Sequence, residues 1–93
     1  MYIVYALYDR KRNRFYIGST NNLYRREKEH KAGKTFTTAG MNTIELVYYE
    51  ACLSQADAFR RERYLKTGKG KRYLRQRLTE WIASLSPKKL ERH

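Results

Sequence analysis

Ninety-three residues are enough for one small domain and too few for two, and an apolar share of 41% allows one modest core. Lysine and arginine total 21 against 9 acidic residues, a net charge of +12 that exceeds what solubility needs and points to a polyanion, nucleic acid foremost. A single cysteine excludes an internal disulfide, and no apolar stretch approaches the ~20 residues of a membrane span.

Residues 2–8 (YIVYALY) read as a strand, with Ile3, Tyr5 and Leu7 on one face and Val4 and Ala6 on the other. Apolar residues on both faces suit an interior strand. The order apolar then basic in MYIVYALYDRKR reverses that of a secretory signal, so the cytoplasm is the expected location. A polar turn at 9–13 leads to a second strand at 14–18, giving a hairpin that brings Tyr5 and Tyr16 to one face. Residues 19–22 offer several N-caps for a helix over 23–31, whose apolar content, with Ala32 just beyond it, is only Leu23, Tyr24 and that alanine. Core packing does not explain so polar a helix, and its Arg26 and His30, four apart, share a face.

Gly33 is the expected helix stop, with a loop over 34–42 and a third strand over 43–50. Ser54 is the expected cap of a second helix running to about Lys66, with Gly68 as a stop beyond it. On that helix Glu62 falls on the face of Ala58, Phe59 and Leu65, where a carboxylate is costly unless a cation or donor meets it. An ion pair with Arg60, Arg61 or Arg63 is the structural alternative to a functional role. A third helix over 71–85 carries Leu74, Leu78, Trp81 and Leu85 at steps of four and three, a packing stripe. Ser86 and Pro87 close it. The expected organisation is one domain over 1–85 and a flexible basic tail over 86–93, with a monomer assumed. The expected class is α+β, a small three-stranded, mainly antiparallel sheet flanked by helices in the order ββ-α-β-α-α.

TGKGK lacks the full phosphate-loop pattern, and one cysteine with two histidines cannot build a zinc finger. Instead, Ile3-Val4-Tyr5, then Tyr16-Ile17-Gly18, then Arg26, His30 and Glu62 resemble the GIY-YIG nuclease superfamily. YIGSTNNLYRREKEH is similar to its second motif and following helix. AFRRERYLKTGKGKRYLRQRL resembles the glutamate-bearing helix of small, single-domain bacterial members, and the chain as a whole is similar to the N-terminal nuclease domain of the excinuclease C subunit. Ile3 stands where the first motif has its glycine, and no asparagine follows Asn42 to match the late asparagine of some members.

The resemblance implies a metal-dependent endonuclease acting on DNA, in repair or recombination, with one Mg²⁺ or Mn²⁺ ion. Carried over by position, Tyr5, Tyr16, Arg26 and His30 are the catalytic candidates, Glu62 the metal ligand and Gly18 the motif glycine. Tyr5 and His30 both remain open as the general base. Arg26 offers a planar, permanent cation for phosphate, and cations near Tyr5 are expected to favour its phenolate. Lys34, Lys69, Lys71 and Arg72 are candidates for tracking phosphates outside the chemical centre. The five central side chains are expected to line one pocket, phenols and carboxylate on the same side of the sheet. The alternative is a non-catalytic basic module that binds DNA or RNA.

Overall fold

The computed structural model of the chain describes residues 1–31 and 44–85, with backbone alone for residues 30 and 31. The expected stop at Gly33, the loop over 34–42 and the tail over 86–93 lie outside the described residues. Three strands form one antiparallel sheet: β1 (Tyr2–Asp9), β2 (Arg14–Thr20) and β3 (Ile44–Cys52), in the order β2-β1-β3. Helix α1 (Leu23–Lys31) follows β2, and α2 (Gln55–Leu65), α3 (Gly68–Arg77) and α4 (Thr79–Ser84) follow β3. The fold is the expected α+β arrangement. No helix among the described residues is long and apolar enough to cross a membrane.

β1 is the interior strand, buried from Val4 to Asp9. Its hairpin to β2 is closed by Asp9, whose carboxylate accepts from the backbone N–H of Lys11 at 3.0 Å and Arg12 at 3.3 Å. Asn13 then takes a positive φ of 53°, a conformation asparagine tolerates better than most residues. The register pairs Tyr5 with Gly18, Leu7 with Tyr16 and Val4 with Ser19. Because side chains alternate, Tyr5, Tyr16 and Gly18 share one face and Val4, Ala6, Phe15 and Ser19 the other.

The second face carries the core. Val4, Ala6, Tyr8 and Phe15 pack with Ala58 and Leu65 of α2 and Leu74 of α3, and Leu78, Trp81 and Leu85 extend the cluster. Trp81 meets Tyr8 edge-on at 5.4 Å between ring centroids, so the leucine and tryptophan stripe is packing.

The helix ends differ from expectation in three places. Ser54 occupies the N-cap of α2, yet its side chain makes no capping bond. Gly68 begins α3 rather than stopping α2, because Thr67 caps the new helix by accepting from the Gly70 N–H at 3.1 Å. Gly70 is then pressed against α2: a Cβ there would lie 2.1 Å from the Tyr64 carbonyl oxygen and 2.5 Å from the Leu65 Cα. Lastly, the third helix is broken at Leu78 into α3 and α4. The Thr79 hydroxyl donates back to the carbonyls of Arg75 and Gln76 at 3.2 and 2.7 Å, competing with the helical ladder.

Candidate active site

Gly18 has a specific steric role. A Cβ built on it would lie 2.4 Å from the Tyr5 hydroxyl oxygen and 2.6 Å from Cζ, so the tip of the Tyr5 phenol occupies the space that a side chain at this position of β2 would fill. Tyr5 is only 6% exposed. Tyr16 lies two residues back along β2 on the same face, half-buried, with the Arg14 guanidinium 5.8 Å from its ring centroid. The hairpin thus brings the two tyrosines together as expected.

Glu62 comes from α2 on the other face. Ser19 donates to its Oε1 at 2.7 Å, and the Lys66 ammonium lies 2.8 Å from Oε2. Its direct partners are therefore a hydroxyl and a lysine; Arg60 pairs with Asp57 and Arg61 with Glu50, while Arg63 adds its charge to the surroundings of Glu62. Burial works to raise the Glu62 pKa but is outweighed by hydrogen bonds from Lys66 and Ser19 and by the charges of Lys66 and Arg63. The carboxyl titrates below its ordinary range.

The expected one-sided pocket is replaced by an arrangement around a strand. Tyr5 reaches β2 at Gly18 and Glu62 reaches it at Ser19, the next residue, from the opposite face. Because β2 is an outer strand, the two groups are parted by one strand at its rim rather than by the sheet. They are close enough to act on each other. Burial raises the Tyr5 pKa most, the Arg26 charge opposes that rise, and the charges of Glu62 and Glu29 add to it. Arg26 favours the Tyr5 phenolate, as expected of a nearby cation, but burial together with Glu62 and Glu29 outweighs it and leaves the pKa raised.

Arg26 projects from the first turns of α1, which the Asn22 side chain caps by accepting from the Arg25 N–H at 3.0 Å. The Arg26 Nε is buried and has no hydrogen-bond partner among the described residues, while one terminal nitrogen lies 3.7 Å from Glu29. A cleft of about 220 Å³ opens beside it, lined by Ser19, Thr20, Arg25 and, across from them, Ala58 and Phe59 of α2. His30 lies one turn further along α1; its side chain lies outside the described residues, as does Lys34. Lys69 and Arg72 are exposed on α3, whereas Lys71 is half-buried.

Several contributors were missed in the sequence. Ser19 was read only as a helix cap, although alternation after Gly18 turns it toward α2. Glu50 and Arg61 form a two-pronged pair, Nε to Oε1 and Nη2 to Oε2 both at 2.9 Å. Tyr48 donates to the same carboxylate at 2.8 Å, and Arg61 lies 4.8 Å from the Tyr73 ring centroid. Burial raises the Glu50 pKa, but hydrogen bonds from Arg61 and Tyr48 bring it below the ordinary range. This network fastens α2 to β3 one residue before Glu62 and so fixes the rotation that presents that carboxylate.

Among the described residues no group of three or more histidine, cysteine, aspartate or glutamate side chains could hold a metal ion. A family model described as the GIY-YIG catalytic domain matches residues 1–75. No curated protein and no solved structure matches the chain.

Proposed function

The chain belongs to the GIY-YIG family, and from that premise we propose that it is a divalent-metal-dependent endonuclease that hydrolyses phosphodiester bonds in DNA. The observation that carries the reading is the meeting at Gly18 and Ser19: a buried phenol and an ionised carboxylate at adjacent residues of one edge strand, with Arg26 acting on the phenol.

Hydrolysis of a phosphodiester needs an oriented water, charge relief on the phosphate and help for the leaving oxygen. Arg26 offers a fixed planar cation with an uncommitted Nε–H for a phosphate oxygen. Tyr5 is assigned as the base: its own proton first passes to solvent, and the phenolate then takes the proton of the attacking water, with Tyr16 as the second phenol that orients that water and His30 as the support of Tyr5. At neutral pH the Tyr5 proton is held on by burial and by Glu62, so any cation that neutralises Glu62 removes part of that hold.

Glu62 is assigned as the metal ligand. One carboxylate fits Mg²⁺ or Mn²⁺ if the ion keeps several waters and takes substrate phosphate oxygens as further ligands. The Lys66 ammonium beside Oε2 marks a place that already accepts a cation and sits on a flexible stem that can leave it. Such an ion supplies charge relief to the phosphate and to the leaving oxygen.

The test is nicking of supercoiled plasmid and of branched DNA with Mg²⁺ or Mn²⁺. Glu62→Ala and Arg26→Ala are each expected to lower kcat by roughly 10²–10³-fold. Tight DNA binding with no cutting of any form by the wild type would replace this reading with a non-catalytic binding module.

A further inference from the structure

We infer that Arg14, Lys71 and Arg75 form a phosphate clamp that holds a DNA strand along the outer edge of β2, at the Tyr16 end of the candidate active site. What happens to that strand rests on the nuclease reading; how it is held rests on the placement of charge.

The three cations gather at one end of β2. Arg14 opens the strand and lies over the Tyr16 ring. Lys71 and Arg75 are four apart on α3 and share its flank. Arg75 donates to the Asn13 carbonyl at 3.3 Å and lies 5.3 Å from the Phe15 ring centroid, which fixes that flank against the start of β2. Lys69 and Arg72, two before and one after Lys71, do not share the Lys71 side chain's face of α3.

Among the described residues no carboxylate lies within ion-pair distance of Arg14, Lys71 or Arg75, whereas Arg10, Arg12, Arg26, Arg60, Arg61 and Lys66 each have one. The crowding is felt: burial first, then the charges of Arg14 and Arg75, push the Lys71 pKa down. Arg14 and Arg75 have ring contacts and Arg75 a carbonyl, but no carboxylate among the described residues relieves the repulsion among the three cations, and a phosphate set among them turns that repulsion into attraction.

Arg25 and Arg26 stand at the other end, just beyond the strand. Cations therefore bracket the phenol and the carboxylate along the rim. The strand spans about 20 Å, which matches about six steps of duplex at ~3.4 Å each.

The experiment is fluorescence anisotropy of a labelled DNA duplex in EDTA, read as the slope of log affinity against log salt, with plasmid cutting measured in parallel. Lys71→Gln and Arg14→Gln are each expected to weaken binding and to flatten the slope by about 0.9. Lys71→Arg should keep the wild-type slope. Arg60→Gln, an equal charge loss at a cation already paired with Asp57, should change it far less. If Lys71→Gln and Arg60→Gln flatten the slope equally, net charge alone binds the DNA and the clamp is refuted. Wild type that binds with the expected slopes but cuts nothing leaves the clamp standing and removes the nuclease reading. Cutting by the wild type with an unchanged Lys71→Gln slope does the reverse.

Discussion

Replacing Gly18 with alanine adds one carbon where none fits. That carbon would lie 2.4 Å from the Tyr5 hydroxyl oxygen and 2.6 Å from Cζ, while ordinary contact begins at 3.4 Å, so the end of the ring must withdraw by about 1 Å. Tyr5 sits on the interior strand and is 6% exposed, which leaves it little room to retreat. Overpacking of this kind costs about 1–3 kcal/mol, equivalent to a fall of roughly 4–24 °C in Tm for a chain of this size. The displaced phenol is expected to lower kcat by about 10²-fold, the usual effect of a 1 Å misplacement. The assay is a double-mutant cycle on stability by urea denaturation. With Tyr5→Ala in place the ring is gone, so Gly18→Ala should then be nearly neutral, a coupling of about 1–3 kcal/mol. Equal costs with and without the tyrosine would refute the steric account of the motif glycine.

The two glycines of α3 should behave oppositely. Gly70→Ala drives a methyl into the backbone of α2 and should unfold the domain or lower Tm steeply, whereas Gly68, with nothing within 4 Å of an added Cβ, should give about 0.4–1 kcal/mol of added stability on change to alanine. Tyr5 should titrate higher in Arg26→Gln and lower in Glu62→Gln, because Arg26 opposes and Glu62 reinforces its raised pKa; NMR of ring-labelled tyrosine reads both shifts directly. Glu50 and Glu62 titrate below the ordinary 4.5, so their stabilisation is complete above that value and is lost as pH falls through their lowered folded pKa values. Tm of the wild type should therefore decline below about pH 4.5. Glu50→Gln should be about 1–2 kcal/mol less stable at neutral pH and decline less steeply in acid.

The hairpin was legible because its signals are local: two β-rich runs, a polar turn and alternation that set Tyr5 and Tyr16 on one face. The interior place of β1 followed from apolar residues on both of its faces. Legibility ended where tertiary contacts decide. Gly68 looks like a stop in any local reading, and only Thr67 capping and the press of Gly70 on α2 make it a start. Leu74 to Leu85 keep one apolar stripe across α3 and α4, so periodicity hid the break that the Thr79 hydroxyl makes. For the site, family likeness supplied the residue set, but no spacing reveals that Glu62 approaches from the far face. That follows from Ser19 pairing with Val4, a register fact. The raised pKa of Tyr5 was hidden too, because sequence counts nearby cations and cannot see burial.

An outermost strand is also a hazard. Among the described residues β2 has a strand partner on one side only, and the backbone donors and acceptors of its other side are a template on which a second copy can add, the first step toward ribbons and fibres. Two such molecules meeting edge to edge would press Arg14, Lys71 and Arg75 of each against like charge on the other. With the clamp proposed above, the unbalanced cations would also guard the seam, leaving it open to a polyphosphate chain and closed to self-recruitment, and raising the salt concentration would weaken that guard.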